Sequence, residues 1–157
     1  MATDWELDVG NDLCALRAAG ILLRNDKILL DHVLDTGEYW LPGGHVQIGE
    51  TTENALHREL KEELEQEFSI EKLVYVSENF RHWHGYRTNF IEFGYLVTDN
   101  HELSDDFRAL TADNANVEKV WIVVSDLPNL TTSPSDLANV LKKLTDFPQH
   151  FISRDKK

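Results

Sequence analysis

Residues Leu41 to Phe68 read LPGGHVQIGETTENALHRELKEELEQEF, a glycine-rich loop that runs into an acidic helix, and this stretch decides the fold. From Thr52 onward Leu56, Leu60 and Leu64 recur every four residues, the mark of one buried helical stripe. At about 100° per residue, Glu59, Glu62 and Glu63 stand at i, i+3 and i+4 and converge on a neighbouring face. Like charges so spaced cost about 0.2–0.5 kcal/mol per pair in an isolated helix. A hard divalent cation would offset that cost, because Mg²⁺ takes oxygen ligands and keeps waters or substrate phosphates in its other positions. Arg58, four residues before Glu62, is placed to orient one of the carboxylates. A merely solvated charged face is the alternative reading of KEELEQE, and helical spacing alone leaves both open.

The composition bounds what surrounds this segment. A chain of 157 residues, 41% hydrophobic and 27% charged, suits one globular domain over residues 1–157, and no apolar run approaches the length of a bilayer span. The opening MATDWELDVGND is acidic and lacks the basic start and apolar middle of a secretory signal. Cys14 is the only cysteine, so no disulfide forms within the chain, and a cytoplasmic location is expected. A formal net charge of −13 repels a nucleic-acid backbone and argues against bulk DNA or RNA binding, and no membrane partner is expected. A small anionic ligand stays open where cations mediate.

Mixed α and β structure is expected elsewhere. LRAAGILLRNDKILLDHV reads as two strands around the polar turn Arg24 to Lys27, and a glycine-rich loop follows from Leu34 to Gly49. Lys72 to Ser77, Asn89 to Val97 and Val117 to Val124 are β-branched and aromatic and suit buried strands. In SPSDLANVLKKLTDF the spacing of Leu137, Val140, Leu141 and Leu144 predicts a covering helix behind a Ser/Pro/Ser/Asp entrance.

Gly44, five residues, Glu50, seven residues, Arg58-Glu59-Leu60, one residue, then Glu62-Glu63 resembles the signature box of the Nudix hydrolase superfamily. The similarity covers Gly44 to Gln66 and is preceded by Trp40-Leu41-Pro42-Gly43, which also resembles the family's approach to the box. Two positions depart from the pattern: Glu65 and Gln66 stand where the family has a glycine and an aliphatic residue. That glycine would ordinarily allow the left-handed turn that ends the helix. Glu, Gln and Glu in succession favour continuation of the helix through Glu65 instead.

The resemblance implies an α/β fold, a Nudix-type α/β/α sandwich with a mixed β-sheet and the box as loop, helix and loop. It also implies hydrolysis of the diphosphate linkage in a nucleoside diphosphate joined to another group X, with Mg²⁺ or Mn²⁺. Carried over residue by residue, Glu59 and Glu63 resemble the primary metal ligands, and the Gly43 carbonyl resembles the loop oxygen that completes the site. Glu62 is a further ligand or the group that accepts a proton from water, and the two roles stay unseparated. Gly44 belongs to the box loop, and Arg58 with Glu50 is expected to tie loop to helix. For Glu50 a direct ligand role stays open beside that structural one. General-base candidates outside the box are Glu102, Asp105, Asp106 and Glu118, each also readable as ordinary surface charge.

In ENFRHWHGYRTNF, Phe80, Trp83, Tyr86 and Phe90 alternate with Arg81, His82, His84 and Arg87. One reading is a substrate loop in which Trp83 stacks on a base and Arg87 meets phosphate. The other is a hairpin whose aromatics pack in the core or at a subunit contact, which leaves a homodimer open. His82 and His84 would share one face of a continuous strand, a weak metal signal by itself. The competing functional class is a nucleotide sensor or interaction module that keeps the fold without turnover.

Overall fold

The structure of the protein, a computed structural model, describes residues 2–100, 103–111 and 114–155. Strand β1 (Glu6–Val9) lies antiparallel on β2 (Asp12–Arg24), and β2 turns through Asn25 and Asp26 into β3 (Lys27–Val33), the hairpin expected from sequence. The glycine-rich loop carries two short strands, β4 (Glu38–Trp40) and β5 (Gly43–His45), before helix α1 (Thr52–Leu64). Then come β6 (Ser69–Trp83), β7 (Tyr86–Thr98), β8 (Arg108–Leu110), β9 (Val117–Val123), a 3₁₀ turn (Val124–Asn129), β10 (Thr132–Ser133), α2 (Leu137–Lys142) and β11 (Gln149–Arg154).

The sheet is mixed, with the path β10-β4-β3-β2-β7-β6-β11. Strands β2 and β7 run parallel from the Asp12 and Arg87 pair to Leu22 and Val97, whereas β6 and β7 form a long antiparallel hairpin. His84 and Gly85 close that hairpin with φ of 47° and 86°, the left-handed pair that a two-residue turn demands. His84 is therefore a turn residue, and the shared strand face expected for His82 and His84 does not exist.

Two cores lie on opposite faces of the sheet. The leucine stripe of α1 is buried as its period predicts: Leu56, Leu60 and Leu64, with Ala55, pack on Ala18, Leu22, Tyr95 and Val97. On the other face Leu137 and Val140 of α2 join Ile21, Ile28, Leu30, Val74 and Tyr75. This is the α/β/α arrangement expected above. No helix among the described residues is long and apolar enough to cross a membrane.

Both helices end earlier than their sequences suggest. Helix α2 has six residues, and Leu144 is 37% exposed rather than packed. The Gln149 side chain explains the stop, since its Nε2 donates to the carbonyls of Val140 and Lys143 and satisfies the helix end. Helix α1 ends at Leu64, and Glu65 adopts φ 56°, ψ 26°, its N–H donating to the Lys61 carbonyl at 2.9 Å. The expected continuation through Glu65 is thus overturned.

Three residues later Phe68 is 5% exposed and packs in the same core as Leu64, so the chain must reverse at once. Burying a phenylalanine gains about 1.5–3 kcal/mol. The left-handed state of a residue with a Cβ costs about 1–2 kcal/mol, so burial wins. Glu65 is exposed and gives up no side-chain hydrogen bond among the described residues. Replacement Glu65→Gly is therefore expected to stabilise the protein by about 1 kcal/mol in a denaturant titration; a loss of stability would show the left-handed backbone to be wrong.

Candidate active site

The site is built from β5, the loop after it, and α1. Thr51 caps the helix, its Oγ1 accepting from the Asn54 N–H at 3.1 Å. Strand β5 lies against β2 so closely that a Cβ on Gly43, at φ 146°, would fall 2.1 Å from the Ala18 carbonyl oxygen. A Cβ on Gly44 would fall 2.3 Å from the carboxyl carbon of Glu59. The two glycines thus let the loop meet the sheet on one side and seat a carboxylate on the other.

Arg58 locks that seat. Its Nε and Nη2 each donate to Glu50 at 3.0 Å, Nη2 also reaches the His45 carbonyl at 3.0 Å, and Nη1 donates to Glu59 at 2.6 Å. Glu50 in turn accepts the Gln47 N–H at 2.9 Å. The hydrogen bonds from Arg58 hold the Glu50 carboxyl below its usual range, with the Gln47 N–H adding to them against burial. Glu50 raises the Arg58 pKa in return, aided by Glu59 against burial. The expected tie between loop and helix is present.

The three box carboxylates occupy three different environments. Glu59 is held by Arg58 over Gly44. Glu62 is 61% exposed, 3.6 Å from Arg58 Nη1. Glu63 points inward, its Oε2 lying 2.7 Å from Nζ of Lys119, whose side chain is only 1% exposed. Lys119 Nζ also donates to Asp31 at 2.5 Å. The contact with Glu63 is close but not aligned as a hydrogen bond, which leaves Oε2 buried without a directed donor.

Burial pushes the Glu63 carboxyl up to about 7; the Asp31 charge adds to this, and the Lys119 ammonium and Arg17 oppose it. Burial disfavours the charged form of Lys119, yet Asp31 and Glu63 more than offset it and raise its pKa. Side-chain ligand atoms of three residues approach within 4.8 Å of one another, among the described residues, at Asp4, Glu6 and His45, and not among the box glutamates.

The residues present nonetheless suit a hard divalent ion. Gly44 forms a cradle that any side chain would fill, and Glu59, Glu63 and the Gly43 carbonyl make a donor set that is all oxygen.

The remaining sequence candidates scatter. Trp83 lines a cavity of about 140 Å³ with Leu13, Arg17, Trp40, Asn79 and Phe90, next to His45 of the box loop. Arg87 lies elsewhere, paired with Asp12 at 2.7 Å and 72% exposed. Glu118 is half-buried and bonded to Arg108, which lowers its pKa. Asp105 pairs with Arg24 at 3.1 Å, Asp106 is exposed, and Glu102 lies outside the described residues.

Sequence reasoning missed Asp31, Lys119, Arg17 and Asn79. Arg17 donates to Glu92 at 2.7 Å and to the Leu41 carbonyl at 3.0 Å. Asn79 is 4% exposed, with an Oδ1 that has no hydrogen-bond partner among the described residues. Asp31 in ILLDHV and Lys119 in VEKVWIV stand beside the polar His32 and Glu118, so the sequence carried no signal for the buried pair.

With this geometry in place, comparison with known proteins decides the class: the chain belongs to the Nudix family, the NUDIX domain model matching residues 15–144. Solved structures with the same fold include a MutT protein from Bacillus halodurans, 16% identical with a TM-score of 0.64, the match covering 89% of each chain. A MutT NUDIX hydrolase from Burkholderia pseudomallei is 22% identical with a TM-score of 0.58, over 84% of this chain and 98% of the other. An ADP-ribose pyrophosphatase from Streptococcus suis is 18% identical with a TM-score of 0.50, over 88% and 98%. None of the curated proteins compared with the chain matches it in sequence.

The raised Glu63 pKa fixes a sign for stability. The folded carboxyl binds its proton more tightly than the unfolded one, so its contribution is complete below pH 4.5 and is lost as pH rises through about 7. In the presence of a chelator, the Tm of the wild type is expected to fall relative to Glu63→Gln between pH 5 and 8. Parallel Tm profiles would overturn the assignment.

Proposed function

We propose that the chain, acting as one domain over residues 1–157, hydrolyses the diphosphate linkage of a nucleoside diphosphate joined to a group X, with Mg²⁺ or Mn²⁺ as cofactor. The observation that carries this reading is the seating of Glu59, a carboxylate fixed by Arg58 against a glycine that leaves room for nothing larger. Family membership supports a phosphoanhydride substrate. Glu59 and Glu63, with the Gly43 carbonyl, would hold the ion, which when bound supplies charge neutralisation at phosphate oxygens and acidifies water.

The chain's own residues divide the remaining work. Glu62 is the least engaged box carboxylate, 61% exposed and 3.6 Å from its arginine, so it is free to take the proton of the attacking water. The water oxygen bonds to phosphorus in line as the bridging P–O bond breaks. Arg58 is a positioning residue, since it holds Glu59 and the loop rather than the reacting atoms. Trp83, Trp40 and Phe90 offer aromatic surface for a base or for X beside the box loop, in a cavity close to the size that admits one aromatic ring, about 150 Å³. Arg87, bound to Asp12 on an exposed part of β7, takes no part in this reading.

A hydrolysis screen over nucleoside diphosphate derivatives, with and without Mg²⁺ and read as nucleoside monophosphate formed, tests the proposal. Turnover is expected only with the ion, and binding without cleavage of any derivative would favour the nucleotide sensor instead. Glu59→Gln, which keeps shape and deletes charge, is expected to lower turnover at least about 100-fold in a folded protein. Near-normal turnover would reject Glu59 as a ligand. Trp83→Ala is expected to weaken substrate binding by about 1–3 kcal/mol with little change in Tm. Loss of stability with unchanged binding would assign Trp83 to packing.

A further inference from the structure

Lys119 stands where an apolar residue would be ordinary. It lies in β9 directly opposite Asp31 of β3, and Glu63 descends from α1 onto the same spot. The side chains of Lys119, Asp31 and Glu63 are 1%, 9% and 15% exposed, so two carboxylates from separate elements share one ammonium away from solvent. A buried charge is tolerated only when paired, and an unpaired pair of carboxylates here would repel. Such a pair is neutralised either by a cation of the chain or by a divalent ion. Mg²⁺, however, demands a near-octahedral oxygen shell with several waters, and the lysine stem and ammonium already fill the space beside Asp31.

We propose that Lys119 is a resident counter-ion that takes the place of a second divalent cation, so that the chain binds a single divalent ion, on the Glu59 side of Glu63. Asp31 is then kept from ligating metal, and its part is to hold the ammonium. The inference rests on the reading of the box as a metal site and adds the number of ions and the residue that sets it. Lys119 acts as a positioning residue through Glu63, and its role is read in metal occupancy rather than in turnover alone.

The test counts Mn²⁺ bound to the full chain by equilibrium dialysis and paramagnetic resonance. Wild type is expected to hold one ion per chain. Lys119→Met is expected to hold two and to gain more in Tm on Mn²⁺ addition than wild type, because the ion relieves the Asp31 and Glu63 repulsion. The double variant Asp31→Asn, Lys119→Met is expected to return to one. Two ions on wild type, or one on a folded Lys119→Met protein, would overturn the role of Lys119. A Lys119→Met protein that folds only with Mn²⁺ supports it, and should that variant stay unfolded the wild-type count still decides. No ion on wild type would instead overturn the metal reading of the box itself, with this inference along with it.

Discussion

The guanidinium of Arg58 is the contact on which the site depends. It gathers Glu50 from the loop, the His45 carbonyl from the end of β5, and Glu59 from its own helix, using donors on all three nitrogens. A planar fork makes these bonds at fixed angles, which a lysine ammonium on a flexible stem cannot reproduce. Because Glu50 is also fixed by the Gln47 N–H, loop and helix form one rigid unit. The close approach of Gly43 to β2 then ties that unit to the sheet.

Around this unit the three glutamates diverge. One helix face presents them at i, i+3 and i+4, yet the neighbours differ: a guanidinium for Glu59, solvent for Glu62, a buried ammonium for Glu63. Three identical side chains thereby acquire separate chemistries from burial and partner alone. The repulsion inherent in their spacing is relieved by cations of the chain itself, Arg58 and Lys119, on the two inner members.

Much of this was legible in the sequence, and the failures have physical causes. The leucine period located α1 and its buried face, because helical geometry is local, and the bond between Glu50 and Arg58 followed from the resemblance of the box. Glu65 misled because helix propensity is a small local term, and the burial of Phe68 three residues on overrode it. The short α2 misled for a similar reason, its end set by Gln149 from the following strand. Asp31 and Lys119 escaped notice because neither is unusual alone; only the β3 and β9 register makes them opposite, and register is a long-range property. The neighbour of Arg87 was hidden for the same reason, since the parallel pairing of β2 and β7 is what sets it beside Asp12.

Behind the box loop runs a relay of hydrogen bonds that begins at a glycine. Gly94 leaves room for the ring of Tyr75 to cross its strand, where a Cβ would fall 2.0 Å from that ring. The Tyr75 hydroxyl donates to Glu92 at 2.5 Å, Glu92 accepts from Arg17 at 2.7 Å, and Arg17 donates to the Leu41 carbonyl two residues before Gly43. Burial, with the neighbouring Glu92 charge, pushes the Tyr75 phenol well above its ordinary pKa, so it stays a donor to Glu92. The loop is therefore aimed from the interior of the opposite core, and a methyl group added at Gly94 would be felt at Leu41 as a displaced carbonyl. The floor of the cleft is in this way fixed to the centre of the protein.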